Sequence, residues 1–136
     1  MRRRGGLLRS ARGVAMTEFA LALPILLGFI IGTVQLGLLF FANADLRNAV
    51  AAGARHASIY PRPGDAAVIA RIQARRARLD PRFIEGPTIT RGTDGNGRAF
   101  ADIEMRYSVP LDFIVFRTPP VTLTETRRVF TQPTAP

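Results

Sequence analysis

The sequence contains no cysteine, no lysine and no tryptophan, and its single histidine is His56. The absence of cysteine excludes disulfide bonds and thiolate metal sites, but it leaves the cellular compartment open. His56 has no paired acidic motif beside it, and the sequence contains no phosphate-binding glycine loop, nucleophile elbow or metal-ligand cluster. The sequence therefore argues against an enzyme, and we expect no catalytic residue, no cofactor and no bound metal.

The positive charge of the chain is concentrated at its start. The 19 basic residues are all arginine, and with 10 acidic residues they give a net charge of +9. Without the five arginines that precede Val14, 14 remain against 10 acidic residues, a net charge of +4. A nucleic-acid partner is therefore not expected, although charge alone would suggest one. The five are Arg2, Arg3, Arg4, Arg9 and Arg12.

A long uncharged apolar run follows the basic leader, from Phe19 to Ala44. As a helix, its 26 residues would extend about 39 Å, enough to cross a hydrocarbon core of about 30 Å. The preceding arginines predict a cytoplasmic N-terminus, with the residues after about 45 outside the cytoplasm. The run predicts a single membrane-spanning helix.

Two export signals are alternatives for this segment. Residues 42–44 read Ala-Asn-Ala, which resembles a signal-peptidase site, but the apolar run is much longer than the roughly 7 to 15 residues of a secretory signal. Residues 2–4 hint at a twin-arginine signal, yet nothing else indicates export of a folded, cofactor-loaded enzyme. A membrane anchor explains the run better than either signal.

Small and helix-perturbing residues interrupt the apolar run. Pro24 removes one backbone donor and is predicted to kink or loosen the helix. Gly28 and Gly32 form a GxxxG pair that allows close approach of a second helix, although glycine is also common in membrane helices. Helical spacing continues from residue 45 to residue 57, so we predict one long helix over residues 14–58. Its small apolar stripe consists of Leu46, Ala49, Val50, Gly53 and Ala57.

The junction before the apolar run has a recognisable pattern. Residues 13–24 read G-V-A-M-T-E-F-A-L-A-L-P. This segment resembles the processing site of type IV pilin-like proteins, and more narrowly that of the TadE-like pseudopilins of tight-adherence (Flp) pilus systems. The resemblance implies cleavage between Gly13 and Val14, with Glu18 at mature position five and Phe19 at the apolar position after it. Residues 51–57 also look like the end of the long helix in this family.

The residue types at positions 13, 14 and 18 are consistent with the implied cleavage and assembly. A small residue at Gly13 lets a peptidase approach the scissile carbonyl, and cleavage would leave an α-amino group on Val14. A carboxylate at the mouth of a membrane helix is costly unless it has a cationic partner. We therefore expect Glu18 of one subunit to pair with the Val14 ammonium of a neighbour, giving register to assembly. The alternative is that Glu18 only reaches lipid headgroups in an ordinary signal anchor.

The resemblance implies a function and a set of partners. The chain is expected to be a minor pseudopilin that takes part in assembling a Flp-type tight-adherence pilus for surface attachment or secretion. Its implied partners are a prepilin peptidase, the major Flp-type pilin, other pseudopilins, inner-membrane platform proteins and membrane lipid. The alternative is an unprocessed single-pass signal-anchored envelope protein whose small domain binds a partner. A fainter alternative is DNA handling through the arginines of residues 71–82.

The fold class predicted for the whole chain is α+β and pilin-like, with a small extracytoplasmic domain over residues 59–131. A second helix is predicted over residues 66–79, with Asp65 as its N-cap. Strands are predicted over residues 87–91, 99–109 and 121–130, giving an antiparallel sheet of about three strands. The leader (residues 1–13) and a flexible tail (residues 132–136) complete the predicted organisation.

Two features of this domain have competing interpretations. Arg71, Arg75 and Arg78 lie on one face of the second helix. A solvated basic face is a simpler explanation for them than a binding surface. Residues 94–97 read Asp-Gly-Asn-Gly, which a hairpin turn explains without a calcium ion, because no glutamate stands at the spacing that an EF-hand needs.

Overall fold

The computed structural model describes residues 6–76, 78–111 and 118–131, with side chains described from residue 13 onward. Within these residues, two helices, one short 3₁₀ turn and three strands follow one another, which confirms the predicted α+β class. The predicted tail over residues 132–136 and the first five residues of the predicted leader lie outside the described residues. In chain order the elements are α1 (Gly6–Ala57), α2 (Asp65–Arg75), the 3₁₀ turn (Pro81–Phe83), β1 (Ile84–Thr93), β2 (Ala99–Val109) and β3 (Val121–Phe130).

Helix α1 is unbroken over 52 residues, which corresponds to about 78 Å. It contains Pro24 and still continues as an α-helix on both sides of it. The environment of its apolar side chains changes along the helix, because most of the large ones as far as Phe41 are exposed and those from Leu46 onward are buried. Leu39 and Ala42 already pack against the core, so the end of α1 from about Leu39 onward is part of the folded domain.

Helix α2 differs from its prediction at both ends. Gly64 is the N-cap, and the carboxylate of Asp65 instead accepts hydrogen bonds from the guanidinium of Arg91 on β1. The helix ends at Arg75 rather than at residue 79. Leu79 is nevertheless buried, because a turn in which its N–H bonds to the Arg76 carbonyl directs it back to the core. Asp65 therefore forms an ion pair with Arg91 of β1 and does not cap α2.

The three strands form one antiparallel sheet in the order β1-β2-β3. Strands β2 and β3 have the predicted bounds, but β1 begins at Ile84, three residues before the prediction. The register of β1 against β2 shifts between Glu85 and Thr88, and this bulge accommodates Pro87, which has no N–H to donate. Gly86 within the bulge has φ of +94°, a backbone conformation that favours glycine.

The turn between β1 and β2 is held by its own aspartate. The Asp94 carboxylate accepts hydrogen bonds from the backbone N–H groups of Asn96 and Arg98, at 3.0 and 2.8 Å. The N–H of Arg98 is the main cause that lowers the pKa of Asp94. Gly97 has φ of +79°, as the predicted turn requires. The carboxylate is therefore used to stabilise the hairpin.

The core lies between the end of α1, helix α2 and one face of the sheet. On β2, the alternating residues predicted to face inward are all buried, and the small apolar stripe of α1 is buried against them. Val68 and Ile72 of α2 complete the core and are fully buried. The inward residues of β2 are Ala101, Ile103, Met105, Tyr107 and Val109.

Gly53 sets the distance between the two helices. A Cβ added at Gly53 would lie 2.3 Å from Cγ1 and 2.6 Å from Cδ1 of Ile72. Since atoms essentially never approach that closely, any larger side chain at this position requires the Ile72 side chain or α2 to shift. The absence of a side chain at this point is what allows α2 to pack against α1.

Candidate processing and assembly site

The predicted scissile bond between Gly13 and Val14 lies inside α1, which begins seven residues earlier at Gly6. The Thr17 hydroxyl donates a hydrogen bond to the Gly13 carbonyl oxygen, at 2.9 Å. A Cβ added at Gly13 would meet nothing within 4 Å. Packing within the chain therefore does not require glycine at this position, so any requirement for a small residue must come from another molecule.

The residues after Gly13 present their side chains outward. Val14 is 55% exposed, Phe19 is 63% exposed and Glu18 is also exposed. Val14 and Glu18 are four residues apart, so they lie on the same face of the helix, one turn from each other. Among the ion pairs of the described residues, none involves Glu18. Its carboxylate is thus available to a cation on another chain.

The predicted packing residues lie further along α1. Pro24, Gly28 and Gly32 follow one another at intervals of four residues, so they lie on one stripe of α1. A Cβ at Gly28 would meet nothing within 4 Å. Glu18 is 10 residues before Gly28 and 14 before Gly32, which correspond to about 15 and 21 Å along the helix axis. The helix therefore brings Glu18 together with Val14 and places the glycine pair further along its axis.

The apolar surface of α1 has the extent of a membrane anchor. One helix, Gly13–Ala57, is long and apolar enough to cross a membrane by length and composition. Most of the large apolar side chains between Val14 and Phe41 are exposed within the chain, whereas the fully buried core begins at Leu46. Helix α1 thus has an exposed apolar part and a part that belongs to the folded domain.

Two features were not anticipated by the sequence analysis. The first is the bond from Thr17 to Gly13, although the i, i+4 spacing of threonine and a carbonyl in a helix is a usable signal. The second is a cavity of about 430 Å³ between α1 and α2, to which Arg55, Arg71 and Arg75 contribute. Nothing in the local sequence pattern relates Arg55 to the other two, since they come together only when α2 packs on α1.

Comparison with known proteins supports the predicted resemblance. Residues 13–55 match the family model described as TadE-like protein. The matched segment lies entirely within α1, from the predicted cleavage residue to two residues before the end of the helix, and it does not include α2 or the sheet. No curated protein and no solved structure matches the chain. The resemblance predicted from residues 13–24 is therefore confirmed for this helix. The match supports the interpretation of the chain as a TadE-like protein of the Tad pilus system.

Proposed function

We propose that this chain, TadE-like over residues 13–55, is a minor pseudopilin that is processed after Gly13 and takes part in assembling a Tad pilus. The family match supports involvement in Tad pilus assembly, a process in which the chain acts through protein contacts and without catalysis. In this proposal the N-terminus is cytoplasmic, α1 crosses the inner membrane and the α+β domain lies outside the cytoplasm. The proposed partners are a prepilin peptidase, the major Flp-type pilin, other pseudopilins and the platform proteins.

The arrangement of Val14 and Glu18 at the start of α1 carries the proposal. Both side chains are exposed on one face of the helix, and the Glu18 carboxylate has no ion-pair partner among the described residues. A carboxylate at this depth is stabilised when a cation from another chain reaches it. Cleavage after Gly13 supplies such a cation as the new α-amino group of Val14 on a neighbouring subunit.

The glycine stripe supports lateral assembly of the same helix. Gly28 faces open space within the chain, and small residues in membrane helices let two backbones approach closely. Pro24 leaves the Ala20 carbonyl without its usual intrahelical donor, which makes this turn easier to deform during packing. We propose that Pro24, Gly28 and Gly32 form the face that packs against another helix.

Analysis of the mature N-terminus tests the proposed processing. Protein from the native host is expected to begin at Val14, and Gly13→Ala is expected to retain the leader. The measurements are intact mass and N-terminal peptide analysis. Gly37→Ala is the matched control, because a Cβ at either glycine would meet nothing within 4 Å in this chain. Both variants are therefore expected to fold.

The outcomes of this experiment distinguish the pseudopilin from the signal-anchored envelope protein. Retention of the leader in Gly13→Ala but not in Gly37→Ala supports the pseudopilin, as does its retention in a strain without the prepilin peptidase. An intact leader in the unaltered protein would contradict it and support the signal-anchored envelope protein. A start at Asp45 would mean cleavage after Ala44, and it would contradict both functions.

Thr17 is expected to slow the cleavage after Gly13. Thr17→Val keeps the shape of the side chain but removes the hydroxyl bond to the Gly13 carbonyl. A net hydrogen bond of about 0.5–1 kcal/mol corresponds to a two- to fivefold change in the population of the opened turn. Since proteolysis of a folded segment follows the opened population, cleavage is expected to accelerate about two- to fivefold.

The rate is measured by mass spectrometry with purified peptidase in detergent. Thr33→Val is the control, because the Thr33 hydroxyl makes the same kind of bond, to the Phe29 carbonyl at 2.8 Å, far from the scissile bond. An unchanged or slower rate for Thr17→Val would show that opening of this turn does not limit cleavage.

A further inference from the structure

The cavity between α1 and α2 has a basic lining that the proposed assembly function does not use. Its volume is about 430 Å³, and Arg55 and His56 from α1 face Arg71 and Arg75 from α2 across it. Asp45 is the one carboxylate in the lining. With three arginines against one aspartate, the cavity attracts anions.

These three arginines differ from most others in the external domain. Among the described residues, ion pairs join acids to seven other arginines, whereas none involves Arg55, Arg71 or Arg75. Arg71 and Arg75 are also four residues apart on one helix, a like-charge spacing that destabilises a helix by about 0.2–0.5 kcal/mol. The paired arginines are Arg47, Arg82, Arg91, Arg98, Arg106, Arg127 and Arg128.

The position of Arg55 argues against a lipid phosphate as the ligand of all three arginines. Arg55 is 11 residues beyond Ala44, where the apolar run ends, which is about 16 Å along the helix axis. The headgroup layer on one side of a bilayer is only about 5–8 Å thick. The cavity extends back along α1 to Asp45, next to the end of the apolar run, so its far end at Arg55 lies clear of the headgroups. A ligand that contacts all three arginines must therefore reach beyond the headgroup layer.

A second copy of this chain is also a poor source of the anion. Among the described acids of the external domain, only Asp45 and Glu85 are outside the ion pairs, and Asp45 already lies in the cavity. A rigid nucleic-acid duplex would contact a convex basic face better than a cavity of this volume. Carboxylates on a flexible segment fit, because each guanidinium can bind one through two parallel hydrogen bonds.

We propose that this basic cavity binds an acidic segment of a different protein, outside the membrane. The site lies in the external domain, so binding does not depend on cleavage after Gly13 and adds a second contact to the one made by α1. The carboxylates of the segment compensate the charges of Arg55, Arg71 and Arg75. Binding is expected to weaken as salt is raised, since the cavity is open to solvent.

The test uses the full chain in sealed vesicles of neutral lipid. Protease accessibility identifies preparations in which the external domain faces out and the leader arginines lie inside. The probe is a fluorescein-labelled hexaglutamate peptide, and its affinity is measured by fluorescence anisotropy. The cavity variant is Arg55→Gln, Arg71→Gln, Arg75→Gln. The control variant is Arg62→Gln, Arg76→Gln, Arg78→Gln, which removes the same charge from arginines outside the cavity lining.

We expect the cavity variant to bind hexaglutamate at least about tenfold more weakly than the unaltered chain, and the control to change less than about threefold. Equal losses in the two variants, or no binding by the unaltered chain, would overturn the proposal. The same proteins are tested with duplex DNA and with soluble short-chain phosphatidylglycerol. Binding of either probe that depends on the cavity arginines and exceeds that of hexaglutamate would also overturn it. Circular dichroism checks that both variants keep their fold.

Discussion

A chain carrying Glu18→Gln is expected to insert into the membrane and to be processed normally, yet to co-assemble at least about tenfold less with neighbouring pilus subunits. Glutamine keeps the size of the side chain and removes its charge. The Val14 ammonium of the neighbour would then be buried without a counterion, and losing one partner of a buried pair costs about 3–5 kcal/mol. The tenfold figure is a lower bound, because water and headgroups at the membrane surface reduce the penalty.

Co-assembly is measured by crosslinking between α1 helices in native membranes, together with the amount of surface pilus. Thr33→Val is the matched control, since it changes a polar side chain of α1 whose hydroxyl is already bonded within its own helix. Unchanged crosslinking and piliation in Glu18→Gln would show that the proposed charge pair does not direct assembly. A Glu18→Gln chain that fails to insert would instead assign the carboxylate a role in membrane integration.

The second large effect is expected at Gly53, where Gly53→Val should separate α2 from α1. The added side chain collides with Ile72, which is fully buried. Replacing glycine in a helix interior gains several tenths of a kcal/mol of helix propensity, because glycine is about 1 kcal/mol worse than alanine. Overpacking costs about 1–3 kcal/mol, so the collision outweighs that gain. Hydrogen exchange of the α2 amides, measured on the full chain in nanodiscs, is expected to accelerate.

A double-mutant cycle identifies the cause of this effect. Ile72→Ala removes both clashing atoms and alone is expected to cost about 2–5 kcal/mol of unfolding free energy. Gly53→Ala combined with Ile72→Ala is expected to cost less than the sum of the two single changes, because the new methyl fills space that the isoleucine left. Additive costs would contradict the contact. Gly37→Ala is the control, since it lies in the same helix as Gly53 and a Cβ there meets nothing within 4 Å.

The local elements followed the sequence pattern where one face of the element is buried. The strand Ala99–Val109 was predicted with its bounds and its inward side chains, because strict alternation has a single solution against a core. The stripe from Leu46 to Ala57 was predicted for the same reason, with helical spacing in place of alternation. The resemblance of residues 13–24 to TadE-like proteins was recognisable because these residues are contiguous, and the family match begins at Gly13.

The prediction was wrong where a distant residue competed for a local role. Asp65 satisfies the usual preference for an N-cap, but the guanidinium of Arg91, 26 residues later, donates to its carboxylate at the surface. The predicted end of α2 at residue 79 relied on the burial of Leu79, which the structure achieves from a turn instead. β1 extends past Pro87 only because a bulge against β2 accommodates the proline.

The sequence by itself determined the elements whose cause is local. These are the arginines before Val14, the apolar helix with Glu18 near its start, and the alternating strand Ala99–Val109. Each depends on contiguous residues or on a short period, so no tertiary contact is needed to read it. Only the tertiary structure decided that Gly53 leaves room for Ile72 and that Arg55 joins Arg71 and Arg75 around one cavity. Those groupings depend on how α2 packs against α1, and packing between distant segments has no period in the sequence.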